Sequence, residues 1–292
     1  MQVLILGGSG LIGKFILNNN KKRFQMFTTY NKEKISSMNS IYFNYPDNFS
    51  SLEKYIDKIR PDVILNTIAL SNPEYCENNK QLAYDINVNF PKMLTALTSK
   101  KNIRLIHLST NYVFDGKQKS YTENDKPNPK NYYGETKLLS ENHVLSNPNN
   151  LVIRTSALYG ISPKIRFFNY VIESLIKSKP ISVFGDYSFN PTLIDELVEV
   201  IFRLFDLETS GIIHVCGSSC TSKFNFVKSI CQIFNFDQNL INFNLTKDVK
   251  VPQTVCMDNT YATNLLNYRF SLLDEGLGSI HDSILQQYHD DK

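Results

Sequence analysis

Met1-Gln2-Val3-Leu4-Ile5-Leu6-Gly7-Gly8-Ser9-Gly10-Leu11-Ile12-Gly13 opens the chain, and its reading decides the fold. Four aliphatic residues end in glycines and a new apolar pattern starts at Leu11, so a buried strand turns directly into a helix. Gly7, Gly10 and Gly13 form a Gly-x-x-Gly-x-x-Gly turn. Gly7 permits the tight turn, and Gly10 lets backbone amides, those of Leu11 and Ile12 among them, approach a pyrophosphate. Gly13 lets the helix pack closely on the strand. The expectation is a dinucleotide site; the plain alternative is a tight turn that holds nothing.

Outward from this turn, short apolar runs alternate with longer amphipathic ones, the pattern of βαβ units on a parallel sheet. Strands are predicted at Val3 to Leu6, Phe24 to Thr28, Ile41 to Phe43, Val63 to Leu65, Ile103 to Leu108 and Leu151 to Ile153. Helices are predicted near 11–19, 49–59, 80–99 and 131–146, with Pro91 kinking or splitting the third. After Arg154 the regularity falls. Helices near 164–177, 192–207 and 222–234 and strands at Ile181 to Phe184 and Ile212 to Val215 are expected there. The fold class is α/β, a Rossmann doubly wound parallel sheet with helices on both faces and a smaller mixed α/β lobe. Residues 1–160 are assigned to nucleotide binding and 161–292 to a substrate lobe, in one compact unit.

At 292 residues, with 42% hydrophobic and 20% charged residues, the chain can bury a substantial core. A formal charge of +3 with scattered lysines argues against nucleic acid. No apolar run spans a bilayer and the N-terminus has no signal-peptide pattern, so a cytoplasmic protein without a membrane partner is expected. Five cysteines are too few for a disulfide framework and lack zinc-ligand spacing, so structural thiols and no metal are expected. A homodimer is compatible with this composition.

After the second strand a carboxylate would grip the 2′-hydroxyl of NAD. This chain has Tyr30-Asn31-Lys32-Glu33-Lys34 instead, which favours NADP(H) over NAD(H). Tyr133 and Lys137 lie i, i+4 on one helix face, where a cation would favour the phenolate and make the tyrosine a usable proton donor or acceptor. Two other Tyr-x-x-x-Lys pairs exist. Tyr30/Lys34 falls at the adenosine end of the expected site, and Tyr288/Lys292 falls at the chain end. Ser109 and Thr110 end a strand just before the Tyr133 helix, and their alternation lets only one face the site. Asn87 could hold a water or a main-chain carbonyl near Lys137. His107 and His214 read as satisfied core histidines, Tyr112 as a sugar contact or a core cap, and Arg166 as a diphosphate contact or a solvated residue.

Gly7-x-x-Gly10-x-x-Gly13, Leu108-Ser109-Thr110-Asn111-Tyr112-Val113-Phe114-Asp115-Gly116 and Tyr133-Gly134-Glu135-Thr136-Lys137 together resemble the extended short-chain dehydrogenases/reductases, and within them the dTDP-4-dehydrorhamnose reductase group. The likeness runs over nearly the whole chain, through Pro127-Asn128, Arg154-Thr155-Ser156, Asn190-Pro191-Thr192 and Val251-Pro252 to Met257-Asp258. It implies reduction of the 4-keto group of a nucleoside-diphosphate 4-keto-6-deoxyhexose by NAD(P)H, in deoxysugar and polysaccharide biosynthesis. Thr110, Tyr133 and Lys137 would be catalytic, with Tyr133 giving the proton and Lys137 depressing its pKa and binding the nicotinamide ribose. Tyr30, Asn31, Lys32, Asn44, Ala69 and Asn87 would join the glycine turn and the Tyr133–Lys137 pair in holding the dinucleotide. Thr110, Asn111, Tyr112 and Ser156 would meet the sugar nucleotide.

Four positions depart from the group's pattern. Asn111 replaces an Asp after the threonine, Ala157-Leu158 occupies an aromatic stretch, Val251 replaces an Arg, and Asn44 replaces an Asp at adenine. Related dehydratases carry an Asp-Glu pair where this chain has Asn111-Tyr112, which disfavours dehydration. The rival expectations are a non-catalytic NADP-binding subunit resembling the regulatory β-subunit of methionine adenosyltransferase, and a sugar-nucleotide epimerase.

Overall fold

A computed structural model describes residues 1–35, 39–184, 187–244 and 252–290. Val251 and Lys292 lie outside them. The elements run β1 (Gln2–Leu6), α1 (Leu11–Asn19), β2 (Gln25–Tyr30), β3 (Ser40–Tyr42), α2 (Phe49–Ile59), β4 (Val63–Asn66), α3 (Pro73–Asn78) and α4 (Lys80–Tyr84). A π-helical turn (Asp85–Asn89) leads into α5 (Phe90–Lys100), β5 (Arg104–Thr110), α6 (Tyr132–Val144) and β6 (Leu151–Thr155). Then come β7 (Leu158–Tyr159), α7 (Arg166–Ile176), β8 (Ile181–Phe184), β9 (Ser188–Phe189), β10 (Thr192–Leu193), α8 (Ile194–Asp206) and β11 (Gly211–Val215). The last are β12 (Thr221–Ser222), α9 (Lys223–Ile233), β13 (Ile241–Asn244), α10 (Thr260–Leu266) and α11 (Leu273–Asp290).

Seven strands form the main sheet in the order β11-β6-β5-β4-β1-β2-β3. It is the doubly wound parallel sheet, with helices on both faces. Between β1 and its neighbours β2 and β4 the winding reverses, which opens a crevice outside the carboxyl ends of these strands. Val3 to Leu6 are fully buried, as expected of a strand covered on both faces. Leu4, Leu6, Phe27, Phe43, Leu52, Ile56, Phe90, Leu94, Leu105 and Val152 form one apolar cluster around this sheet. β11, read from the sequence with the second half, is the edge strand beside β6. Only pairing could reveal that, because a short apolar run does not say which sheet it joins.

The helix expected over 80–99 is split. The Phe90 N–H reaches back five residues to Asp85, and Pro91 stands at the start of the next segment. Proline has no N–H for the carbonyl four residues earlier, so the chain widens into a π turn there.

The chain divides into two compact units. The first comprises Met1–Val113, Pro127–Arg154 and Val198–Ile213. The second comprises Phe114–Lys126, Thr155–Leu197 and His214–Lys292, with three two-stranded sheets, β7 with β10, β9 with β12 and β8 with β13. Tyr159, Phe168 and Phe189 gather around Phe226 in its core. Cys220 and Cys256 are joined in a disulfide, their Cα atoms 5.6 Å apart. This corrects the expectation of thiols for these two cysteines. They lie 36 residues apart, a pairing that spacing rules cannot see. Cys76, Cys216 and Cys231 are free and buried. Among the described residues no helix is long and apolar enough to cross a membrane, and no cluster of His, Cys, Asp and Glu could hold a metal ion.

Candidate active site

In the first unit, β1, β2, β4 and β5 run parallel. The residues that follow them therefore emerge at one edge of the sheet: Gly7, Asn31, Ala69 and the Asn111 turn after Thr110. Gly7 has φ +91°, and a Cβ on Gly13 would stand 2.4 Å from the Gly7 carbonyl oxygen. The helix can start against the strand only with glycine at both positions. α1 has no side-chain cap and no acidic residue in its first turn, so its leading amides suit a pyrophosphate. A dinucleotide thus fits the residues present.

At the adenosine end, the Asn31 amide donates to Asn44 Oδ1 at 2.8 Å, which ties together the segments after β2 and β3. Asn44 in turn contacts Asp47. The Glu33 carboxylate is paired to Lys14 on α1, while Lys32 and Lys34 are exposed. Tyr30 ends β2 with its ring edge-on to Tyr42. Arg166 is exposed at the start of α7, and Ser156 is buried within the second unit.

β5 and α6 carry Thr110, Tyr133 and Lys137. Asn131 caps α6 by accepting the Gly134 N–H at 2.9 Å, and Glu77 accepts the Tyr132 N–H at 3.0 Å. A Cβ on Gly134 would come 2.2 Å from the Tyr112 carbonyl oxygen, so glycine lets the helix start press against the turn that follows Thr110. The alternation on β5 separates Ser109 from Thr110. Ser109 donates to the Glu141 carboxylate, whereas the Thr110 hydroxyl donates to Asn111 Oδ1 at 3.3 Å and lies close enough to the Tyr133 phenol to lower its pKa. Asn111 to Val113 form a single 3-10 turn with Asn111 buried, and the Tyr112 ring meets Tyr133 edge-on at 6.0 Å.

Asn87 lies in the π turn and grips the main chain of Leu70. Its side chain accepts the Leu70 N–H at 2.8 Å and donates to the Leu70 carbonyl at 3.0 Å. It also lies 3.0 Å from Thr136 Oγ1. The segment after β4, which includes Ala69, is thereby anchored to the helix that bears Tyr133 and Lys137.

Lys137 is 1% exposed. Its Nζ donates to the Leu108 carbonyl at 2.7 Å and lies 2.9 Å from His107 Nε2. Burial pulls its pKa down to about 8, against a smaller upward pull from Glu141. Tyr133 moves the other way. Burial pushes its phenol well above 10, and the opposing influence is the Thr110 hydroxyl. The expected depression by Lys137 is not found: the cation is not among the influences on this phenol, and burial holds it protonated.

Sequence reasoning did not single out Glu141. It forms a two-toothed ion pair with Arg154, with contacts of 3.0 and 2.7 Å, and both side chains are 1% exposed. An arginine ending an apolar strand was the available signal. Its partner was hidden because it sits 13 residues earlier on another element.

A family model described as RmlD substrate binding domain matches residues 1–267. Among curated proteins, the chain is 25% identical over 291 residues to a probable low-salt glycan biosynthesis reductase of Haloferax volcanii, covering 96% of this chain and 97% of the other. Among solved structures, a hypothetical dTDP-4-dehydrorhamnose reductase from Sulfolobus tokodaii aligns with TM-score 0.85 and 31% identity, over 94% of this chain and 99% of that one. A dTDP-4-dehydrorhamnose reductase from Bacillus anthracis in complex with NADP aligns with TM-score 0.84 and 24% identity, over 98% and 99%.

Proposed function

The chain belongs to the RmlD substrate binding domain family, and from that premise we propose that it reduces the 4-keto group of a nucleoside-diphosphate 4-keto-6-deoxyhexose. It is an oxidoreductase that works with a nicotinamide dinucleotide. The observation that carries the reading is the convergence of Thr110, Tyr133 and Lys137 at the β5–α6 junction of the unit that also holds the glycine turn.

The chemistry that a bound, reduced nicotinamide would supply is hydride donation to C4 of the sugar. Gly7, Gly10 and Gly13, with the amides of Leu11 and Ile12, would hold the pyrophosphate, and Tyr30, Asn31, Lys32, Asn44 and Ala69 the adenosine half. Lys32, exposed beyond β2, favours a 2′-phosphate and hence NADP. Tyr133 gives its phenol proton to the oxygen that becomes the alcohol. Its raised pKa keeps that proton in place until the oxygen gains charge. Thr110, whose hydroxyl lowers the phenol's pKa, would ease the phenolate left behind. Thr110, Asn111 and Tyr112 would contact the sugar nucleotide.

The test is oxidation of NADPH, followed by absorbance, with dTDP-, UDP-, GDP- and CDP-linked 4-keto-6-deoxyhexoses. One of them should be consumed in a one-to-one ratio with NADPH. No oxidation with any of them refutes the reductase reading and leaves a dinucleotide-binding protein without turnover.

A further inference from the structure

His107 is fully buried and has no part in the reduction described above, yet its imidazole is in contact with Lys137. It stands on β5 in register with Asn66 on β4. Asn66 presents its amide nitrogen to His107 Nδ1 at 3.0 Å, and its orientation is fixed because its Oδ1 accepts the Ile68 N–H at 3.1 Å. An amide N–H can only donate, so Nδ1 receives it with a lone pair. A neutral imidazole carries one N–H, which places the hydrogen on Nε2. Burial, then the nearby Lys137, holds the His107 pKa well below 6.5, so the ring is neutral.

Nε2 faces two groups, Lys137 Nζ at 2.9 Å and Ser140 Oγ at 3.1 Å. Ser140 donates its own hydrogen to the Lys137 carbonyl at 2.6 Å, so toward His107 it offers a lone pair. An ammonium at Nζ would set donor against donor, and the imidazole N–H then turns to Ser140. A neutral amine at Nζ accepts that N–H instead. The bond from Nζ to Leu108 is available to both forms. The other charged groups near Lys137 are Glu141, one turn along α6, and the Arg154 that pairs it from β6.

We propose that His107 is a positioning residue for Lys137, its Nε2–H shared between Ser140 and the lysine so that Lys137 serves as a proton carrier rather than a fixed cation. This rests on the reductase reading, in which Tyr133 must regain a proton after each turnover. On that reading the proton returns through Lys137, whose ammonium becomes an amine. The resulting amine accepts the Nε2–H of His107 and is then reprotonated from solvent. One solvent proton is consumed per ketone reduced.

The test begins with the wild-type protein labelled with ¹⁵N-histidine and ¹⁵N-lysine, without dinucleotide or sugar. The His107 resonances are assigned by their loss in His107→Gln. They should show a protonated Nε2 and a bare Nδ1, and the ring should stay neutral below the ordinary histidine range. The Lys137 titration, near pH 8, should move up by roughly one pH unit in His107→Phe, the worth of one lost hydrogen bond to the amine form. It should move down in Ser140→Ala, which leaves the N–H only the amine to meet. In turnover, the alkaline limb of kcat should follow these shifts while KM for NADPH holds. A proton on Nδ1, or a Lys137 titration that Ser140→Ala leaves unmoved, overturns the proposal. If His107→Phe does not fold, the wild-type spectrum and Ser140→Ala decide. Failure of the reductase reading is visible separately, as absence of NADPH oxidation by the wild-type protein.

Discussion

Tyr133 and Thr110 work as a pair whose chemistry is set by burial more than by charge. Tyr133 is 8% exposed and Thr110 7%. Desolvation keeps the proton on Tyr133, and the Thr110 hydroxyl eases its departure. Tyr133→Phe should lower kcat by roughly 10²–10⁴-fold while NADPH still binds, as read by fluorescence titration. Turnover at the wild-type rate would remove Tyr133 from the mechanism. At this scale the i, i+4 spacing was legible, because helix geometry alone puts both side chains on one face. The direction of the Tyr133 shift was not, because it depends on how many atoms exclude water from the phenol.

α6 is unusual as an element because its buried face is polar. Tyr133, Thr136, Lys137, Ser140 and Glu141 are all turned inward, so the helix has little of the apolar stripe that normally betrays one. The Tyr-Lys spacing singled it out instead. Two predictions belong here. Gly134→Ala should cost roughly 1–3 kcal/mol of stability in urea unfolding, since the new methyl must push α6 off the Tyr112 carbonyl. The same shift should lower kcat, because it separates Tyr133 from Thr110. Glu141→Gln should cost about 3–5 kcal/mol by leaving Arg154 buried without its counter-charge, and Glu141→Leu with Arg154→Met should recover much of the loss. A double variant no more stable than Glu141→Gln alone would contradict this account.

For the whole molecule, two buried bases link folding to pH. His107 binds a proton far less readily when folded than the ordinary value of 6.5 allows. Below that pH the unfolded chain therefore carries the extra proton, and stability falls as pH drops, by about 1.4 kcal/mol per pH unit. Lys137 acts in the alkaline window. Its folded value near 8 lies under the ordinary 10.5, so stability rises with pH between the two. Urea midpoints measured across the histidine range should show the first slope, and His107→Gln should flatten it. An equal slope in both proteins would mean that His107 is not the group refusing the proton.

The sequence by itself determined the doubly wound sheet, the glycine turn and the identity of the Tyr133–Lys137 helix. Alternation, turn chemistry and side-chain spacing are properties of the local chain, and they survive without knowledge of any distant contact. The tertiary structure alone decided that β11 joins the main sheet and that Cys220 bonds Cys256. It also turned Ser109 to Glu141 while Thr110 meets Tyr133. It alone brought Asn66, His107 and Ser140 around Lys137. Each of these depends on residues from separate elements meeting in space, and in a buried site it is such neighbours that set where a proton resides.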